Sequence, residues 1–118
     1  FKGDMQYLRI VNEKKTNKVW DDWFKTVLLL KEIATESNFY IVLTPPRVQV
    51  EKVKKENRNF IFNKKFNDYC KKFNLKCIDL LPHFDESEKF LFYDKVHFNA
   101  NGHELTAKIL SDYIFREK

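Results

Sequence analysis

The chain has 118 residues, 43% of them hydrophobic and 16% aromatic, with 12 phenylalanines, which suffices for the core of one domain and excludes a disordered segment. Its 2 glycines and 3 prolines exclude a turn-dense all-β domain and a flexible linker, and no apolar run approaches the ~18 residues of a membrane span. The net charge of +5, from 22 Lys and Arg against 17 Asp and Glu, reads as a solvated surface rather than a nucleic-acid footprint: the densest basic run, Lys52 to Arg58, is interrupted by Glu56 and carries no aromatics for bases to stack on.

Residues 1–18 are polar and weakly patterned, with Phe1, Met5, Tyr7, Leu8, Ile10 and Val11 fitting a short helix or an irregular loop. Gly3-Asp4 is followed by Met5, whose side chain cannot attack a carbonyl. No charged stretch followed by an apolar one marks a signal peptide, and the compartment is left open. From Asn17 the apolar residues Trp20, Trp23, Phe24, Val27, Leu28, Leu30, Ile33 and Ala34 recur at helical spacing. The wide stripe predicts a well-buried helix ending near Ser37-Asn38, with Thr16 or Asn17 as its cap. Phe39 to Thr44 is a continuous apolar run, as expected of a parallel strand covered on both faces, and Pro45-Pro46 ends it. Residues 47–58 read as a loop or a short exposed helix.

A second long helix is predicted over about 59–73, burying Phe60, Ile61, Phe66, Tyr69, Cys70 and Phe73, with Asn74 closing it. Lys76 to Leu81 reads as a strand closed by Pro82, and Asp85 to Phe90 as a short acid-capped helix. The last helix is expected from about Asn101 to Phe115, capped by Asn99, with Leu105, Ile109, Leu110 and Ile114 on its core face. Cys70 and Cys77 could meet where a helix packs on a strand, but they show neither CxxC nor zinc-knuckle spacing, and the reading is two buried free thiols. The order is that of an α/β fold with a parallel sheet. Two strands are too few to bury helices on both faces, since sheets typically have about 4–6, so further strands are expected before residue 1 and residues 1–118 read as a single partial domain.

The chemistry is expected between these last two helices, in Phe92-Tyr93-Asp94-Lys95-Val96-His97-Phe98-Asn99-Ala100-Asn101-Gly102-His103. A carboxylate three residues before an imidazole, on a tight loop, can fold back onto the ring. Histidine titrates near neutrality and serves as a general base. An aspartate beside it fixes its tautomer and stabilises the imidazolium. The run resembles the closing block of the SGNH hydrolases, the GDSL-type esterases and lipases, in which an Asp-x-x-His pair precedes an Asn-containing turn, a Gly-His pair and an amphipathic helix. The helix–strand order from about residue 19 to 115 is similar as well.

The resemblance implies a three-layer α/β/α fold with a parallel, flavodoxin-like sheet, present here as its C-terminal part. It implies a serine-dependent hydrolase of acyl or acetyl esters, with His97 as base and Asp94 as its orienter. Asn99 and Gly102 would be structural and His103 a scaffold histidine. No cofactor or resident metal is implied. The partners would be a small-molecule or glycan-linked acyl ester and the N-terminal part of the same domain, with no nucleic acid and no membrane span. The family's Gly-Asp-Ser nucleophile block and its oxyanion-hole blocks are not visible, and none of Ser37, Ser87 and Ser111 follows Gly-Asp after a strand, so the chain alone is expected to be inactive. Phe98 stands where many members carry proline. Two other readings stay open: a non-catalytic α/β binding module, and a metal site drawn from His83, Asp85, Asp94, His97 and His103, whose spacing matches no compact zinc pattern.

Overall fold

A computed structural model describes residues 17–35, 38–56 and 60–116; the expectations for residues 1–16, Ser37 and the end of the basic run lie outside them. In chain order the elements are α1 (Asn17–Ile33), β1 (Tyr40–Leu43), α2 (Arg47–Glu56), α3 (Ile61–Lys72), β2 (Lys76–Asp79), α4 (Leu81–Asp85) and α5 (Ala100–Arg116). The fold is mixed α/β. β1 and β2 pair in parallel, in register from Tyr40 opposite Lys76 to Leu43 opposite Asp79. Parallel neighbours need a long crossover, which α2 and α3 supply.

Successive strand residues serve opposite faces, and two apolar clusters result. Ile41, Leu43 and Cys77 pack on the cluster of Trp20, Phe24 and Val27 from α1 with Phe66, Tyr69 and Cys70 from α3. Tyr40 packs on the other cluster, to which β2 contributes Ile78; it gathers Val48 and Val50 from α2, Leu81 and Phe84 from α4, Leu91, Phe92, and Ile109 from α5. The first cluster is largely aromatic, with Phe24 and Tyr69 stacked at 5.0 Å. The Tyr69 hydroxyl donates to Asp21 at 2.7 Å, tying α3 to α1. This bond raises the Tyr69 pKa, because it favours the protonated phenol.

Several expectations are corrected. α1 stops at Ile33 and its stripe is only half covered: Trp20, Phe24 and Val27 are buried, whereas Trp23, Leu30 and Ile33 are exposed, because α3 reaches one side of the stripe. Of the two readings of residues 47–58, the helix holds for 47–56, but it is not simply exposed: its first turn is buried, with Val48, Gln49 and Val50 all shielded. Pro82 does not close a strand. It stands in the first turn of α4, where a missing N–H costs nothing. The short helix therefore ends at Asp85 instead of starting there. Asp79, not Asp85, opens it: Asp79 Oδ1 accepts the Leu81 N–H at 3.1 Å.

The two cysteines are not free thiols. α3 ends as a Schellman turn, in which the Leu75 N–H reaches the Cys70 carbonyl at 2.9 Å, the Asn74 N–H reaches the Lys71 carbonyl at 3.2 Å, and Asn74 takes a left-handed φ of 52°. This reversal carries the chain back along α3 into β2. It brings the Cα atoms of Cys70 and Cys77 to 6.2 Å, and a disulfide joins them. No described helix is long and apolar enough to cross a membrane.

Candidate functional site

The loop between α4 and α5 is built on an antiparallel bridge between Phe92 and Phe98. The Tyr93 N–H donates to the His97 carbonyl at 2.8 Å and the Asn99 N–H to the Leu91 carbonyl at 2.9 Å. In such a non-hydrogen-bonded pair the side chains lie close, and the two rings meet edge-on at 5.4 Å. Phe84 wedges against both, 6.0 Å from Phe92 and 4.9 Å from Phe98. The bridge thus roots Tyr93 to His97 in the core while leaving the tip in water. Phe98 is part of that root.

At the tip, Asp94 folds back on its own loop. Its Oδ1 accepts the backbone N–H groups of Val96 at 2.9 Å and His97 at 2.7 Å. The His97 Nδ1 lies 2.8 Å from Oδ2 and 3.0 Å from Oδ1. The N–H of Val96, the N–H of His97 and the imidazole all favour the ionised carboxylate, in that order, and hold the Asp94 pKa at about 2. With Nδ1 donating to a carboxylate, the neutral ring carries its proton there and presents Nε2 as an acceptor. The His97 side chain is 74% exposed and that of Asp94 46%. Nε2 has no hydrogen-bond partner among the described residues.

α5 begins immediately after the loop, and its start is held from two sides. Asn99 Oδ1 accepts the Gly102 N–H at 3.0 Å, an N-cap bond. Asn99 Nδ2 donates to the Phe90 carbonyl at 2.9 Å, and Asn101 Nδ2 reaches the same oxygen at 3.3 Å. A Cβ on Gly102 would collide with the Leu91 carbonyl oxygen and lie 2.8 Å from the Phe98 Cβ. Only a glycine lets the helix start against the bridge at this distance. Both structural assignments, Asn99 as cap and Gly102 for close approach, match this geometry. His103 lies on the surface, its ring edge-on to Phe98 at 5.8 Å.

Sequence reading missed the contribution of α2. Arg47 is its first residue, so the Arg47 N–H has no partner inside the helix. It donates to the Lys95 carbonyl, in the middle of the loop, at 2.9 Å. Behind it lies a buried polar chain: Gln49 Nε2 donates to Asn63 Oδ1 at 2.7 Å, and Asn63 Nδ2 donates to both Asp79 oxygens at 3.1 and 3.0 Å. The available signal was Pro45-Pro46, which starts a helix where a parallel strand ends, at the edge of the sheet where sites form.

The other titratable residues are dispersed. His83 packs edge-on to Tyr113 at 6.0 Å, and among the described residues no group of three or more His, Cys, Asp or Glu side chains could hold a metal ion. Ser87 Oγ accepts the Lys89 N–H at 3.2 Å and Ser111 lies within α5; neither bonds His97. No family model, curated protein or solved structure matches the chain.

Proposed function

We propose that this chain supplies the base and its orienter to a serine-dependent hydrolase of acyl or acetyl esters. The observation that carries the reading is the Asp94–His97 pair, with Nδ1 on the carboxylate, the carboxylate fixed by two backbone N–H groups, and Nε2 free toward solvent. Such a ring takes a proton from an attacking hydroxyl at Nε2, holds it as imidazolium against Asp94, and returns it to the leaving alcohol. The acyl group passes to the serine and then to water, with His97 again the base. The nucleophile and the oxyanion donors come from outside the described residues, and the substrate is a small-molecule or glycan-linked ester.

The finer fold belongs to the same proposal: a three-layer α/β/α domain with a flavodoxin-like parallel sheet, of which this chain forms the C-terminal part. Tyr40, Ile41, Val42 and Leu43 are all apolar, as in a strand covered on both faces. Yet β1 has one partner among the described residues, and Val42 is 36% exposed. Further strands beside β1, with the helices that cross between them, would cover Val42 and bring a serine toward the loop.

The test is hydrolysis of a short-chain ester such as p-nitrophenyl acetate by the domain with its remaining strands present. His97→Ala should lower turnover about 10⁴-fold or more, and the 118-residue chain alone should show no His97-dependent hydrolysis. Undiminished turnover in His97→Ala overturns the assignment.

A further inference from the structure

The Asp94–His97 pair is local, but the loop that carries it hangs from a part of the molecule distant in sequence. Gln49 is 2% and Asn63 7% exposed, the two buried polar side chains of the described residues. Burying an amide is costly unless its polar atoms are bonded. Here they form a directed chain: Gln49 donates to Asn63, Asn63 donates to the Asp79 carboxylate, and Asp79 also receives the Leu81 N–H and, at 3.4 Å, Asn67 Nδ2. Asp79 ends β2, Asn63 sits in α3 and Gln49 in the first turn of α2. The chain therefore fixes the α2 N-terminus relative to the carboxyl end of the sheet. From that terminus, the Arg47 N–H holds the Lys95 carbonyl, between the two members of the pair.

We propose that the Gln49–Asn63–Asp79 chain is a positioning device for the Asp94–His97 pair, acting through the Arg47 N–H on the Lys95 carbonyl. Gln49, Asn63 and Arg47 are positioning residues, Arg47 through its backbone N–H. Without the device, the tip of the loop loses its backbone tie to α2 and with it its fixed setting against the sheet end, although the root stays held by its own bridge, by Phe84, by Lys54 on the Ser87 carbonyl and by the start of α5. This deepens the hydrolase reading and rests on it for the purpose of the device, although the mechanical link can be tested without substrate.

The link rests on a backbone N–H, so a proline isolates it. Arg47→Pro removes the donor at the first helical position, where proline is well accommodated, and asks of Pro46 only the extended conformation usual before a helix. Arg47→Ala removes the side chain and keeps the N–H. The full chain, labelled in its histidine rings and backbone nitrogens, is followed by NMR. The readouts are the share of His97 in the Nδ1–H tautomer and the exchange protection of the Val96 and His97 amides.

Arg47→Pro should lower that protection about fivefold or more, the loss of one net hydrogen bond, and mix the His97 tautomers. Arg47→Ala, which keeps the N–H, should lose clearly less of both than Arg47→Pro. Gln49→Leu should act like Arg47→Pro, whereas Val27→Ala, a core truncation in the other cluster, should leave His97 unchanged. Equal losses in Arg47→Pro and Arg47→Ala overturn the device, as does an unaltered His97 in folded Gln49→Leu. If Gln49→Leu does not fold, the two Arg47 variants decide alone. The expected pattern supports the device even in a protein that cleaves no ester, and that absence of activity counts against the hydrolase reading alone.

Discussion

Gly102 inverts a general rule. Glycine inside a helix is normally worse than alanine by about 1 kcal/mol, so Gly→Ala ordinarily stabilises. Here the added methyl would meet the Leu91 carbonyl oxygen and the Phe98 Cβ, and forcing it in should cost about 1–3 kcal/mol or more. A lowered urea midpoint in Gly102→Ala with unchanged m is the expected result. Asp94 gives a second prediction. Its pKa is held at about 2 against an ordinary 3.8, so the folded loop favours the ionised form. The associated stabilisation is fully present above the ordinary value and is lost as pH falls through about 2. The Asp94 carboxyl carbon should titrate near 2 by NMR, and a midpoint near 4 would mean that the backbone N–H bonds are not made. Asp94 was legible in the sequence because its partners lie two and three positions on, and Gly102 because it stands in the motif that follows; its tightest neighbour, the Leu91 carbonyl, is eleven positions back. Arg47 was not legible, because its role is a backbone donation across the fold and any side chain but proline supplies the same N–H.

At the scale of elements, sequence pattern located the three long helices and both strands but displaced α4 and misjudged what covers α1. The α1 stripe is wide, yet only the side facing α3 is buried. Truncation should follow contact rather than hydrophobicity: Phe24→Ala, at a fully buried position, should cost about 3–5 kcal/mol, and Ile33→Ala, at 81% exposure, within about 0.5 kcal/mol. Thermal or urea unfolding of the two variants compares them directly. α4 was displaced in the reading because Pro82 can end a strand or open a helix, and the hydrogen bond from the Leu81 N–H to Asp79 decides between them. The disulfide was illegible because spacing alone does not say where two thiols point; the left-handed Asn74 does. Closing so short a loop stabilises by about 2–3 kcal/mol in the chain-entropy account. A reductant should lower the urea midpoint of the parent and leave that of a Cys70→Ala/Cys77→Ala double variant unmoved. Such bridges last in oxidising compartments and are opened in reducing ones.

For the whole molecule, the α/β class was legible from the alternation of helical and strand patterns, and the proposed larger sheet would have its further strands beside β1. Val42 reports on that. In the 118-residue chain, Val42→Thr should cost under about 1 kcal/mol, as at other partly exposed positions. Where a further strand and its helix cover the position, the buried hydroxyl should add about 1–3 kcal/mol. Paired urea titrations of the 118-residue chain and of a longer protein carrying the proposed strands measure the difference, and equal costs would count against strands beside β1.

The bridge between Phe92 and Phe98 has one more consequence. The bonds that shape the site run between near neighbours in the chain, three positions apart for Asp94 and His97 and nine for Asn99 and the Phe90 carbonyl. The segment from Phe90 to His103 is therefore a portable cassette. Grafted onto another domain ahead of an α-helix, it should bring the oriented imidazole with it, leaving the host to supply an aromatic in the place of Phe84 and an anchor in the place of the Arg47 N–H.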